Sequence, residues 1–495
     1  MVWLRVMSSR KLLQIVSWAV FTSLVCKARA DVRLPALFSD NMVLQQEMSA
    51  PVWGWADEGE EVTVQFRGKQ VRTKTKHGKW LVHLTNLKAG GPDSLMIQGK
   101  NKVELKNVLV GEVWVCSGQS NMEWPLDKSF ESGPDISGCA NPNLRLFLVA
   151  KARSDVPLED VKAQWKECNP QSTPGFSAVG FYFGRELQKS RKVPVGLIGT
   201  YWGGSPAEVW MSKSTLESNP EYKKDILDSY TEAVRKADGD KKKMPGWKPT
   251  ELYNGMIAPL VPFAIKGAIW YQGESNAGRA EQYRRLFRDM IRNWRQDWGE
   301  KDFTFLAVQL APWDPKRSLE EIASKPVESG WAELREAQLM TTKALPKVGM
   351  AVITDVGDKN DIHPTKKRAV GGRLALAARS IAYGEKIEYS GPIYKSMTVN
   401  GGKVVLSFEH TDGGLEAREG PLKGFAICGS DKRFVWADAV IQDDKVIVSS
   451  PQVPEPTAVR YGWADFPIVN LWNKADLPAS PFRTDDFPMI TAKNK

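Results

Sequence analysis

In the stretch VWVCSGQSNMEWPL, Val113 to Leu126, an apolar run ends in a tight Ser-Gly-Gln-Ser turn. Ser120 has two readings there. SNME is a capping box, with Ser120 as helix cap and Glu123 three residues on. Ser120 is equally a nucleophile candidate, because free main-chain N–H groups at a helix start favour a developing oxyanion. The two readings are compatible. Met122 stands where a lipase-type G-x-S-x-G elbow needs its second glycine, so a hydrolase built on this turn is of another class.

The chain has only 4 histidines. His77 lies in a turn, His83 in a strand pattern and His410 at a strand end. His363, in DVGDKNDIHP, follows the apolar run GMAVIT and precedes a helical pattern. Ligands of open α/β sheets bind beyond the carboxyl ends of the strands, and only His363 has that place. By itself, a loop histidine before proline is more often structural. Imidazole is nonetheless the usual base at neutral pH. So few histidines also argue against a histidine-based metal site.

Two further strand ends carry polar or glycine clusters. In GTYWGGSPAEVW, Gly203 and Gly204 would let a main-chain N–H approach a substrate oxygen closely. In IWYQGESNA, the amides of Gln272 and Asn276 are candidate oxyanion donors. Each cluster alone reads as turn chemistry. Together the four strand ends present a serine, a glycine pair, an amide and a histidine, which are the parts of an acyl-transfer site.

The elements that position these residues form three zones. Residues 31–108 show short alternating runs (APVWGWA, EEVTVQF, KWLVHLTNL) broken by Gly, Pro, Asp and Asn, and predict a small β domain of sandwich type. Residues 109–388 alternate strand and helix. The apolar runs VGEVWVC, VPVGLIGT, IKGAIWY, FTFLAVQL and VGMAVITD lack a polar face, which suits a mostly parallel sheet covered on both sides. Between them, EQYRRLFRDMIRNWRQDWG has helical periodicity and stops at Gly299; Ser205 and Pro206 read as a helix cap and first turn. Residues 389–495 return to alternating β patterns. The expected fold is three-layer α/β, flanked by N-terminal and C-terminal β-sandwich-like regions.

The blocks CSGQSNMEW, WGGSPAEVW, WYQGESNA and DIHP, in this order, resemble those of the sialate O-acetylesterase family within the SGNH hydrolases. The opening LPALFSDNMVLQQ and the stretch LYNGMIAPL are similar to it as well, so the resemblance covers most of the chain. It implies a serine esterase acting on O-acetylated sugars or polysaccharides, without a metal or organic cofactor. By resemblance Ser120 is the nucleophile and His363 the base. The oxyanion donors are the N–H groups of Ser120 and Gly204 and the amide of Gln272 or Asn276. The wider SGNH pattern places Asp three residues before the histidine, where this chain has Asn360. Asp361, two before, is the expected partner of His363, with Asn360 or a main-chain carbonyl as the alternative. The resemblance leaves open sialic acid against xylan or another acetylated polysaccharide, and a non-catalytic carbohydrate-binding protein on the same scaffold.

Residues 1–30 read as a signal peptide: Arg5, Arg10 and Lys11, then IVSWAVFTSLV, then the small-x-small pattern of Ala28 to Ala30. The expectation is an exported protein, periplasmic or extracellular, beginning near Asp31. Val25 is too large for the position before a lipidated Cys26. No later segment is long and apolar enough to span a membrane. The formal charge of +10 falls to +5 without Arg5, Arg10, Lys11, Lys27 and Arg29, and no nucleic-acid motif accompanies it. The cysteines Cys116, Cys139, Cys168 and Cys428 match no zinc spacing and leave three disulfide pairings open. Of the 19 tryptophans, Trp114, Trp124, Trp202, Trp210 and Trp270 lie near the blocks; each is either core or a sugar platform.

Overall fold

The computed structural model describes residues 31–300 and 302–493. The signal-peptide reading of residues 1–30 lies outside them.

Seven strands build the sheet that carries the four blocks. They are β1 (Lys102–Gly118), β2 (Asn141–Leu148), β3 (Trp165–Cys168), β4 (Val195–Tyr201), β5 (Gly267–Tyr271), β6 (Thr304–Val308) and β7 (Val348–Ala351). Their order across the sheet is β7-β6-β5-β1-β4-β2-β3. All neighbours are parallel except β3, which closes the edge antiparallel to β2. The sequence reading missed β2 and β3. The polar residues of NPNLRLFL interrupt the apolar run that marked the other strands, and β3 has only four residues.

Side chains alternate across the sheet and feed two cores. Val113 and Val115 of β1, with Ala268 and Trp270 of β5, face one core. Trp114, Cys116, Ile269 and Tyr271 face the other. The first core is covered by α3 (Ala280–Asp297) and α4 (Gly330–Ala344). The second is covered by α2 (Ala178–Arg191) and α5 (Lys367–Ile381). Two-sided burial is why the central strands β4, β5, β6, β7 and the second half of β1 are mostly apolar on both faces, at roughly 1.5–3 kcal/mol per large aliphatic side chain. The result is the expected three-layer α/β fold, with further β-sheets from residue 393 onward.

β1 is unusually long. Its first half pairs with Gly90–Gln98 of the N-terminal β region, and its second half pairs with β4 and β5. The expected division at residue 108 therefore falls inside one continuous strand. The chain leaves β1 toward β2 and β4 on one side and then crosses to β5 on the other. That reversal makes the end of β1 a topological switch point, where a crevice opens in α/β sheets.

All four described cysteines are free and buried. Among the described residues no helix is long and apolar enough to cross a membrane.

Candidate active site

β1 ends at Gly118, whose φ of +137° lies outside the usual range of L side chains. A Cβ there would fall 2.2 Å from the Tyr271 carbonyl oxygen, so only glycine fits. The turn is fastened by the Gln119 N–H, which donates to the same carbonyl at 3.0 Å. Ser120 follows as the first residue of the short helix α1 (Ser120–Glu123).

The capping box is absent. Gln119 is the cap residue, and no side chain caps the helix. The Ser120 hydroxyl instead lies 2.9 Å from Nε2 of His363. Glu123 is also diverted: its Oε2 accepts from the Gly203 N–H at 2.6 Å, and its Oε1 pairs with Lys151 at 2.5 Å. Both box residues reach outward because a partner across the crevice outcompetes the local bond.

His363 sits in residues 352–366, between edge strand β7 and α5. Reaching Ser120 takes the loop back over β6 and β5, about 14 Å at the usual strand spacing. That span accounts for the length of the connection. The loop start is held by Asp358, whose Oδ1 accepts from the N–H groups of Asn360 and Asp361 at 2.8 and 3.0 Å. Asp361 Oδ1 accepts from the His363 main-chain N–H at 2.8 Å and stands 3.6 Å from its Nδ1. That is an ion-pair distance, longer than a hydrogen bond. The Asn360 amide oxygen accepts from Lys359 instead. The Trp124 ring stacks on the imidazole, with centroids 5.4 Å apart and planes 19° apart. Burial holds the His363 pKa below its ordinary value of 6.5; Asp361 opposes this and Lys367 adds to it. Burial thereby favours the neutral form of the imidazole. Of the other histidines, His410 pairs with Glu388 at 2.7 Å, among the C-terminal β-sheets.

The second block comes close to the serine. A Cβ on Gly203 would lie 3.2 Å from the Ser120 Cβ. Gly204 has φ +74° and open space around it. Among the described residues, the N–H groups of Ser120 and Gly204 have no hydrogen-bond partner, whereas that of Gly203 is taken by Glu123.

Gln272 and Asn276 are fully buried behind this turn. Gln272 Nε2 donates to Asn276 Oδ1 at 2.7 Å and to the Ser205 carbonyl at 3.4 Å, which uses both amide hydrogens. Asn276 Nδ2 donates to Glu208 at 2.9 Å, and its Oδ1 also accepts from the Ala207 N–H. Neither amide is bonded toward Ser120; both hold the 203–208 turn from behind. Ser205 does not cap a helix either. Its hydroxyl donates to the Trp202 carbonyl and accepts from Trp210, and the next turn is a 3-10 turn, Ala207–Trp210.

Trp114, Trp210 and Trp270 are fully buried core residues. Trp124 and Trp202 are partly exposed beside the serine. Trp202 meets Trp247 edge-on at 5.6 Å, with Lys151 and Arg153 over its ring. The sequence reading missed this rim, because Lys151, Arg153 and Trp247 come from loops outside the four blocks. Among the described residues no three His, Cys, Asp or Glu side chains group as a metal site.

A serine hydroxyl at hydrogen-bond distance from an imidazole, with two free N–H groups alongside at the end of a parallel sheet, gives this three-layer α/β protein the parts of an acyl-transfer site. Residues 110–380 match the model of the family described as carbohydrate esterase, sialic acid-specific acetylesterase. The sialate O-acetylesterase of Homo sapiens is 30% identical, over 91% of this chain and 92% of its own length. That of Mus musculus is 31% identical, over 90% and 93%. A carbohydrate acetylesterase from Xanthomonas citri superposes with a TM-score of 0.83 at 42% identity, covering 92% of this chain and 100% of that one. The chain belongs to this sialic acid-specific acetylesterase family and is a carboxylic ester hydrolase.

Proposed function

We infer that the protein hydrolyses O-acetyl esters on carbohydrates through an acetyl-enzyme on Ser120. The observation that carries this reading is the 2.9 Å contact between Ser120 Oγ and His363 Nε2. His363 takes the hydroxyl proton as Oγ attacks the acetyl carbonyl. The oxyanion is met by the N–H groups of Ser120 and Gly204. Collapse expels the sugar hydroxyl, which receives the proton from His363. Water, deprotonated by the same imidazole, then releases acetate and restores Ser120. Asp361, 3.6 Å from Nδ1, supports the imidazolium by charge. Gln272 and Asn276 serve the oxyanion through the turn that carries Gly204, rather than by direct donation.

Aromatic rings near the site suit a sugar substrate: Trp124 stacks on His363, and Trp202, two residues before Gly204, meets Trp247 edge-on. Lys151 and Arg153 supply positive charge suited to the carboxylate of a sialic acid, in keeping with the names of the relatives. One observation favours a neutral acetylated polysaccharide such as xylan. Lys151 is already paired with Glu123, and Arg153 stands 3.5 Å from Glu251. Acetate release from O-acetylated sialic acid and from acetylated xylan, with Ser120→Ala alongside, tests both readings. Equal release by wild type and variant would end the Ser120 mechanism. No release from any acetylated sugar would leave a carbohydrate-binding protein.

The composition of residues 1–30 supports export. N-terminal sequencing of the protein recovered outside the cytoplasm is expected to begin near Asp31.

A further inference from the structure

Directly beneath the Ser120–His363 pair lies a buried chain of polar groups. Lys367, on the inner face of α5, donates from Nζ to Asn121 Oδ1 at 2.5 Å. The Asn121 amide donates to Glu274 Oε1 at 2.6 Å and to the Ile362 carbonyl at 3.0 Å. Lys367 and Asn121 are at most 1% exposed. The chain thus joins the residue after the serine, the residue before the histidine and the Q-G-E block of β5. An amine and a carboxyl out of water are costly unless each has a partner. Aliphatic packing would fill this space at lower cost, so the ionisable pair calls for a role beyond packing.

We propose that Lys367 is a positioning residue for the hydrolysis: through Asn121 it fixes the main chain at Ile362, next to His363, and it places its ammonium close to the Ser120–His363 pair. The proposal rests on the Ser120 mechanism inferred above. The groups facing His363 are Ser120, Asp361, Lys367 and the Trp124 ring. Those facing Lys367 are Asn121, Glu274, Asp361 and the rings of Trp124 and Tyr271. Burial pulls the Lys367 ammonium down to about 7, against the upward pull of Glu274 and Asp361. A positive charge at this place opposes a second one on the imidazole, whereas Asp361 favours it. Asn121 matters to geometry because the Ile362 carbonyl it holds belongs to the peptide that leads into His363. A displacement of about 1 Å between nucleophile and base is enough to cost ~100-fold in rate.

The test is Lys367→Met, with kcat, KM and the pH profile of kcat/KM measured on an aryl acetate. The double variant Lys367→Met/Glu274→Gln removes both buried charges and serves if the single variant does not fold. Expected is a fall in kcat of ~10-fold or more with KM nearly unchanged, and an acid limb moved to higher pH, since the charge opposing imidazolium is gone. In a cycle with Asn121→Ala, the combined loss should be smaller than the product of the single losses. A wild-type profile in the folded variant overturns the proposal. So does a lower kcat with an unmoved acid limb, which is a packing effect alone, and so do losses that multiply. Ser120→Ala separates the two claims. If it is inactive while Lys367→Met is silent, only this proposal fails; if it turns over like wild type, the mechanism itself fails.

Discussion

Two polar clusters stand at the same edge of the sheet, and they treat their hydrogens differently. At the end of β1, Ser120, His363 and Gly204 leave groups unspent: two main-chain N–H groups with no partner among the described residues, and an imidazole at hydrogen-bond distance from the hydroxyl. Beyond β5, Gln272 and Asn276 are spent. Tyr283 donates to Gln272, Gln272 donates to Asn276 and Ser205, and Asn276 donates to Glu208, which Arg279 neutralises. Buried amides in a protein must find partners, at a cost of about 1–3 kcal/mol for each group that does not. A group that will meet a transition state must instead be free of protein partners when substrate arrives. The open cluster therefore reads as chemistry and the closed one as scaffold, although both looked alike as strand-end polar residues.

The largest effect that would break this comparison is on Ser120. Ser120→Ala should lower kcat by about 10⁴-fold or more with an unchanged melting temperature, measured as acetate release and thermal unfolding. Retained turnover would return the open cluster to scaffold. Next is Asn276→Ala, which removes the partners of Glu208 Oε2, of one Gln272 amide hydrogen and of the Ala207 N–H. It should destabilise the fold by about 1–3 kcal/mol and slow turnover ~10-fold by loosening the Gly204 turn. A loss of ~10²–10³ in kcat without loss of stability would make Asn276 a direct donor and move it into the open cluster.

Smaller still is Asp361→Asn. The side chain is more than half exposed and stands beyond hydrogen-bond distance of Nδ1, so kcat should fall by about 10-fold or less. Its charge raises the His363 pKa, so removing it should move the acid limb to lower pH. In the unmutated enzyme, burial favours the neutral imidazole. kcat/KM should therefore reach its plateau from an acid limb lying below pH 6.5, the ordinary imidazole value. A limb above 6.5 would mean that Asp361 outweighs burial and Lys367.

Much of the scaffold was legible because strand and helix periodicities are local. The five apolar runs became β1, β4, β5, β6 and β7, and the helix of EQYRRLFRDMIRNWRQD became α3. β2 and β3 were not legible. One has polar residues facing an edge strand, and the other is too short to show a period. The tryptophans near the blocks divided only with tertiary structure: three are core, while Trp124 and Trp202 are at the crevice. Lys367 carried a signal that went unread. It lies three and seven residues before the buried Val370 and Leu374, so helical spacing already put it on the inner face.

By itself the sequence determined which strand ends carry a serine, a glycine pair, amides and a histidine, since these are properties of adjacent residues. The tertiary structure alone decided how each side chain is spent. Ser120 could cap its own helix or meet a histidine 243 positions away. Glu123 could close a capping box or hold the Gly203 N–H, and Gln272 could face an oxyanion or the back of a turn. A hydrogen bond goes to whichever partner the packed chain brings within about 3 Å, and that choice is made across the sheet, not along the chain.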